Sequence, residues 1–326
     1  MSMAYFLGVD TGATKTHALI ADETGRVLGF GQAGSGNHEV VGYDGVIAAL
    51  GQSTRAALAQ AGLDAGQIAG AGFGIAGYDF PSEREPTLQA IATLGLACPL
   101  EATNDVVLGL IAGAEAGWGV VIDAGTGNNV RGRDQAGREG WVTGCGRNFG
   151  EYGGAGEIVG RAVQMIAYDW SRRGQPTALS AAFVRALGAK SLPDLIEGLA
   201  LEWYHPRADL AQLVFEVAKA GDPVAVEVLR WTACELGETA NAVIRQLDLQ
   251  DSAFEVVLIG SVFKGGELYA APLRETIRAL APQAGFTRLR VQPAAGAVLL
   301  GMEQAGLRGA SIRRALFESL TAKDPL

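Results

Sequence analysis

The chain of 326 residues has few of the side chains that form disulfides, zinc sites or iron–sulfur sites. It contains three cysteines, Cys98, Cys145 and Cys234, and three histidines. The cysteines stand far apart, which excludes a zinc-ligand spacing and a disulfide framework. Positive charge is also scarce, since 26 Lys and Arg face 35 Asp and Glu for a net charge of −9. This balance argues against a nucleic-acid partner, and the free cysteines favour a cytoplasmic location.

Long apolar runs are absent as well. The longest stretches, such as Val106 to Ala112, fall well short of the roughly 20 residues that span a bilayer. No basic segment followed by an apolar segment opens the chain, so we expect neither a signal peptide nor a membrane partner.

Glycine, by contrast, is abundant: 46 of 326 residues, about 14% and roughly twice the average usage. Such an excess without low complexity is typical of tight turns and of close approaches between backbone segments. The length is about twice that of a usual domain and predicts two domains.

An internal repeat supports two domains. Each of two predicted strands runs into a D-x-G loop, at Asp10-Thr11-Gly12 and at Asp123-Ala124-Gly125. A D-x-x-G turn follows, beginning at Asp22, 12 residues after Asp10, and at Asp134, 11 residues after Asp123. Matched spacing in matched strand context predicts two similar α/β domains, each with one loop facing a shared cleft.

We place the first domain at residues 1–115 and the second at 116–326. The second contains a predicted helical insertion over about 179–247, a strand near 254–259 and a last short strand near 289–291. A final helix from about Ala294 is expected to pack back on the first domain.

The first D-x-G loop has the composition of an anion site. Its glycine and small residues let backbone N–H groups approach phosphate, and its hydroxyls and lysine add donors and charge. The candidate phosphate-binding residues are Gly12, Ala13, Thr14, Lys15 and Thr16. Asp10, at the strand end, is a candidate Mg²⁺ ligand, acting through water. Taken alone, the loop is also compatible with an ordinary hairpin turn.

Two further segments have similar character. Gly125, Thr126 and Gly127 repeat the phosphate-loop composition, and a strand running into Gly260, Ser261 and Phe263 would provide a small-residue floor for a nucleoside. Neither D-x-G loop is a Walker A or a Rossmann fingerprint. Each segment alone could be a structural turn.

Together these pieces resemble the actin-like ATPase superfamily, which includes sugar kinases and Hsp70. More narrowly they are similar to its N-acetylglucosamine kinase / BadF-BadG-BcrA-BcrD ATPase-like branch. The resemblance runs from about Phe6 to Gly301 and rests on five motifs in order: Asp10 to Thr16, Gly34 to His38, Asp105, Gly125 to Asn129, and Gly260 to Lys264. It implies an α/β fold of two actin-like (ribonuclease H-like) domains, each with a mixed five-stranded sheet flanked by helices, and a cleft between them.

The resemblance also implies roles for individual residues. Asp105 matches the catalytic aspartate, which accepts the proton of the attacking hydroxyl; judged locally, the same aspartate could instead cap a helix. The Gly260, Ser261 and Phe263 segment matches the adenosine motif. The sugar-binding residues implied are Asn37, His38, Gly77, Asn104, Asp105, Thr126, Gly127 and Glu151.

The implied function is that of an ATP-dependent kinase that phosphorylates the 6-hydroxyl of an amino sugar. N-acetylglucosamine is the sugar that we expect first. ATP and Mg²⁺ are the implied cofactors, and a homodimer is the implied assembly. Where the family commonly has G-D-E-G, this chain has Gly150-Glu151-Tyr152-Gly153, which leaves the identity of the sugar open. The alternatives are a glucosamine or other amino-sugar kinase, or an ATPase activator of an acyl-CoA reductase or dehydratase. Such activators hold an iron–sulfur cluster with cysteines.

Overall fold

The computed structural model describes residues 3–321, which form two five-stranded mixed sheets. The first sheet, in the order β3-β2-β1-β4-β5, consists of β1 (Tyr5–Thr11), β2 (Thr16–Asp22), β3 (Val27–Ala33), β4 (Ile68–Ile75) and β5 (Leu100–Asn104). The second, in the order β10-β9-β6-β7-β8, consists of β6 (Gly119–Ala124), β7 (Asn128–Arg133), β8 (Glu139–Trp141), β9 (Glu255–Ile259) and β10 (Gly285–Arg288).

The two sheets repeat one topology. In each, the first three strands form an antiparallel meander, and the fourth and fifth strands add in parallel beside the first. The D-x-G loops are the β1–β2 and β6–β7 connections, and the D-x-x-G turns are the β2–β3 and β7–β8 connections. The repeat detected in the sequence is therefore a repeat of structure, and the predicted fold class is confirmed.

Helices flank both sheets. They are α1 (His38–Ala61), α2 (Arg84–Ala92), α3 (Asp105–Gly113), α4 (Ala155–Trp170), α5 (Ala178–Leu187), α6 (Leu192–Ala200), α7 (Ala211–Lys219), α8 (Pro223–Gln246), α9 (Glu267–Leu280), α10 (Ala294–Gln304) and α11 (Ala310–Thr321). Helices α5 to α8 occupy the stretch where apolar periodicity predicts helices, and with α4 they bury one large apolar cluster against the second sheet. Among residues 3–321, no helix has both the length and the apolar character needed to cross a bilayer.

Helix α10 lies directly on the first sheet, and glycine makes this possible. A Cβ at Gly8 on β1 would overlap the Val298 backbone, and a Cβ at Gly72 on β4 would overlap the Ala297 carbonyl. Part of the glycine excess therefore serves close helix–sheet packing, as well as the phosphate-type loops that the composition suggests.

Helices α3 and α10 fill the space between the sheets. One face of α3 packs on α10, and its other face packs on β6 and β9 through Leu110, Ala114, Val121 and Val257. The first turn of α3, which begins at Asp105, consequently faces both halves of the molecule.

Two sequence expectations need correction. The last strand is Gly285–Arg288 rather than 289–291, because its position is set by parallel pairing of Gly285 with Glu255, a contact distant in sequence. The helix at Ala294 is not the last in the described range, since α11 follows it. Ile312, Leu316 and Leu320 recur every four residues along α11, and Leu316 and Leu320 are buried, so this helix had a periodic signal that the sequence expectations did not use.

Candidate active site

Two cavities meet where the loops of both sheets converge. The first, of about 230 Å³, is lined by Asp10, Thr11, Gly12, Thr14, Lys15, His17, Asp105, Val106, Asp123, Ile259 and Pro293. The second, of about 280 Å³, is lined by Ala13, Asn37, Glu39, Ala76, Gly77, Asp79, Asn104, Asp105, Val106, Asp123, Gly125, Thr126, Gly127, Asn128 and Asn129. Asp105, Val106 and Asp123 border both cavities, so these residues lie at the passage between them.

Asp105 is held at the junction of β5 and α3, but it is not the helix cap. The N-cap is Asn104, whose Oδ1 accepts a hydrogen bond from the Val106 N–H at 3.1 Å. Asp105 Oδ1 accepts from the same N–H at 3.0 Å. Because Asn104 performs the capping, the local explanation of Asp105 as a cap is unnecessary.

The electrostatics of the passage are those of crowded carboxylates. Burial, followed by the charges of Asp123 and Asp79, raises the pKa of Asp105 to about 7, against the smaller opposing effects of the Val106 N–H and Arg131. Burial and the Asp105 charge also raise the pKa of Asp10, which Lys15 opposes. A carboxyl with a pKa near neutrality suits a group that accepts and releases a proton at physiological pH.

The first loop contributes to both cavities. Gly12, Thr14 and Lys15 line the first cavity and Ala13 the second, and the turn is closed by a hydrogen bond from the Gly12 N–H to the Lys15 carbonyl at 2.9 Å. Thr16 stands apart from them. It is fully buried, and its hydroxyl donates to the Gly34 carbonyl at 2.9 Å, so it supports the loop from behind.

The second loop lines the second cavity with Gly125, Thr126 and Gly127. Helix α4 starts immediately behind it: the Ala155 and Gly156 N–H groups donate to the Gly125 and Thr126 carbonyls, each at 2.9 Å. These first-turn amides of α4 are therefore engaged in positioning the loop.

The third segment lies outside both cavities in the described part of the chain. Gly260 has φ +103° and would overlap the Ala124 carbonyl with a Cβ, so glycine is required where β9 turns beside the second loop. Ser261 is exposed, whereas Phe263 is buried, with its ring 6.0 Å from that of Tyr269.

On the other side of the second cavity, Asn37 and Gly77 meet. Asn37 caps α1 by accepting from the Glu39 N–H at 2.8 Å, and a Cβ at Gly77 would lie 2.6 Å from Asn37 Oδ1. His38 stands behind them rather than on the cavity wall. Its ring stacks on Tyr43 with centroids 4.9 Å apart.

Glu151, for which the resemblance implies a contact with the sugar, lies outside the lining of both cavities. It is buried, and Oε1 accepts from both the Thr143 N–H at 2.8 Å and the Thr143 hydroxyl at 2.9 Å. Oε2 accepts from the Gly146 N–H at 3.3 Å. The carboxylate therefore holds the 143–146 loop together. The neighbouring Tyr152 packs edge-on against Trp231 of α8, with centroids 4.9 Å apart.

Several lining residues are absent from the set predicted from sequence. Asp123 could have been predicted from the sequence, because it occupies in the second repeat the position that Asp10 has in the first. Asn128 and Asn129 line the second cavity, and within residues 3–321 the buried Oδ1 of each has no hydrogen-bond partner. Such acceptors are suited to a ligand that brings its own donors. Asp79 follows no motif and is identified only by its position.

A profile of the BadF/BadG/BcrA/BcrD ATPase family matches residues 7–301. Two named relatives are similar over 93% of this chain and 99% of their own length. One is an N-acetylmuramic acid/N-acetylglucosamine kinase of Clostridium acetobutylicum, 25% identical over 304 residues. The other is an N-acetyl-D-glucosamine kinase of Dictyostelium discoideum, 26% identical over 323 residues.

Solved structures are similar over nearly the whole chain. A candidate N-acetylglucosamine kinase from Chromobacterium violaceum superposes with a TM-score of 0.62 at 25% identity, covering 92% of this chain and 99% of that one. A ROK family glucokinase from Streptomyces griseus, solved with glucose and AMPPNP, superposes with a TM-score of 0.52 at 21% identity, covering 91% and 97%. The second likeness concerns the fold alone.

Proposed function

The chain belongs to the BadF/BadG/BcrA/BcrD ATPase family, and on that premise we propose that it transfers the γ-phosphoryl group of ATP to the 6-hydroxyl of an amino sugar. N-acetylglucosamine is the substrate expected first. The family is one of ATPases, which implies the use of ATP, and the names of the two relatives support an amino-sugar kinase.

The observation that carries the proposal is the position of Asp105 between the two cavities. The first cavity is walled by the Thr14 and Lys15 loop and suits the phosphates, while the second is walled by polar groups such as Asn37 and Asn129 and suits a sugar. A carboxylate bordering both can accept the proton of a hydroxyl in the second cavity as that oxygen attacks phosphorus in the first.

The residues of the first cavity fit Mg²⁺. Asp10 and Asp123 both line it, and Mg²⁺ prefers oxygen ligands such as carboxylates while keeping several waters. Among residues 3–321, no group of three or more His, Cys, Asp or Glu side chains is arranged to hold a metal, so Asp10 and Asp123 would hold the ion only in part and water would complete its coordination. Bound there, Mg²⁺ would counter the charge on the phosphates. Lys15 would add a point charge beside it.

The direct test is a coupled assay of ADP release with ATP, Mg²⁺ and one sugar at a time. The panel is glucosamine, N-acetylglucosamine, N-acetylmuramate, N-acetylmannosamine and glucose, with Asp105→Asn protein purified in parallel as the background control. We expect sugar-dependent release with at least one amino sugar. If no sugar increases ADP release, the proposal is wrong, and the iron content of the same preparation then tests the activator alternative.

A further inference from the structure

One ion pair joins the two halves of the molecule beside the second cavity. Arg131 on β7 is 3% exposed, and its Nη2 lies 2.5 Å from Oδ1 of Asp79, in the loop after β4. The guanidinium also lies over the Trp141 ring, 5.4 Å from its centroid. Strand β7 belongs to the second sheet and the β4 loop to the first, so the pair crosses the cleft.

The ion pair is connected to the candidate base through one side chain. The same Oδ1 of Asp79 accepts a hydrogen bond from Asn104 Nδ2 at 3.1 Å. The other end of that amide, Oδ1, caps α3 by accepting from the Val106 N–H, which Asp105 also engages. A continuous path of hydrogen bonds therefore runs from Arg131 through Asp79 and Asn104 to the first turn of α3.

Local folding does not account for the pair. The Asp79 and Phe80 N–H groups both donate to Glu83 Oε2 at 2.7 Å, so the loop after β4 is already closed without Arg131. Burying an arginine and a carboxylate together brings little net stability, because desolvation offsets their attraction. What the pair provides is a fixed position for the Asn104 amide, which borders the second cavity.

We propose that Asp79 and Arg131 act as a positioning pair for the candidate base. Together with the Tyr78 carbonyl, which accepts from Asn104 Nδ2 at 3.2 Å, the pair holds Asn104 and, through it, the start of α3, so that the Asp105 carboxylate is best oriented while the two halves are joined across the cleft. The inference rests on the proposed function. It assigns Asp79 and Arg131 to orientation of the base rather than to contact with the sugar.

The chain offers a matched control. Arg133, two residues further along β7, forms a two-point ion pair with Glu303 of α10, at 2.6 and 3.1 Å. This second pair also joins the two halves, but its residues line neither of the two cavities. Arg133→Met and Glu303→Gln therefore remove a comparable link away from Asn104.

The experiment compares Asp79→Ala, Arg131→Met, their double variant, Arg131→Lys and the two controls. We expect kcat of each single pair variant to fall by about 10–100-fold, because small misplacement of a reacting group costs up to that much. The KM values for sugar and ATP should stay within about threefold. The double variant should be no slower than the slower single variant, since the two residues act as one unit, and Arg131→Lys should recover part of the loss.

Hydrogen exchange gives a readout independent of turnover. Peptides covering residues 104–110 should exchange faster in both pair variants than in the parent, and at the parental rate in the controls. If Arg131→Met does not fold, Asp79→Ala, in a partly exposed loop, tests the same point.

Three results would overturn the inference: unchanged kcat with unchanged exchange, additive losses in the double variant, or a sugar KM raised tenfold at parental kcat. The last result would make Asp79 a sugar contact. If the parent itself phosphorylates no sugar, the proposed function fails, and the exchange of residues 104–110 alone decides whether the pair positions α3.

Discussion

Replacing Asp105 with asparagine should separate catalysis from stability. The amide has nearly the size of the carboxylate, and its oxygen can keep the hydrogen bond from the Val106 N–H. It cannot accept a proton at neutral pH. We therefore expect the fold to persist and kcat to fall by about 10²–10⁴-fold, the usual contribution of a general base. That loss corresponds to about 2.7–5.4 kcal/mol of activation free energy.

Although Asp105→Asn should lower kcat, it should raise the free energy of unfolding at alkaline pH. On folding, burial raises the pKa of Asp105 from its ordinary value of 3.8 to about 7. The stability that a raised carboxyl pKa contributes is fully present below pH 3.8 and is lost as the pH rises through about 7. At pH 8 the ionised group therefore costs up to about 4 kcal/mol, taken at about 1.36 kcal/mol per pH unit. The neutral amide of the Asp105→Asn variant would not bear that cost.

Two measurements check this reasoning. The coupled assay at pH 8 gives kcat for parent and variant, and urea unfolding at pH 8 and pH 5 gives their free energies of unfolding. We expect the variant to be more stable than the parent at pH 8, by a margin that shrinks at pH 5. Near-parental turnover would refute Asp105 as the base. A variant less stable than the parent at pH 8 would refute the electrostatic account of the site.

Three further predictions follow from the same geometry. The kcat/KM of the parent should fall as the pH drops below about 7, because protonated Asp105 cannot accept a proton. The Asp79→Asn variant should show this fall at lower pH, because it lacks a charge that raises the pKa of Asp105. If kcat/KM of the parent falls only below pH 5, both predictions are wrong. Turnover should cease in EDTA, and Asp10→Ala should raise the Mg²⁺ concentration needed for half-maximal velocity at least about tenfold. Full turnover in EDTA would show that the reaction does not require a metal. Glu151→Gln should lower the free energy of unfolding by about 1–3 kcal/mol, because an NH₂ group would then face an N–H group of the 143–146 loop. The KM for ATP should stay unchanged. A changed sugar preference at parental stability would instead indicate that Glu151 contacts the sugar.

Local patterns were enough to predict the family, the fold class and the loops at the cleft. The D-x-G loops directly follow strands and are rich in glycine and hydroxyl residues, and this pattern lies in consecutive residues. The family match and the paired sheets confirm the family and the fold. The repeat also contained the signal for Asp123, as the counterpart of Asp10, although the predicted site did not include it.

Contacts that depend on how a loop or a strand folds back were not predictable in this way. The role of Glu151 depends on where the 143–146 loop folds back, and its carboxylate is turned toward the Thr143 and Gly146 N–H groups. The position of β10 likewise depends on its pairing with β9. A motif identifies a residue type at a place in the chain, but it does not say which way the side chain points.

The sequence by itself determined most of the turns, helices and strands, and the places where hydroxyls, lysine and carboxylates follow strand ends, because these depend on residues a few positions apart. Only the tertiary structure decided that Asp105 borders two cavities, that Asn104 rather than Asp105 caps α3, and that Arg131 reaches Asp79 from the other sheet. These relations arise from packing two sheets around α3 and α10. That packing sets distances and burial, and hence pKa values, between residues that have no proximity in the chain.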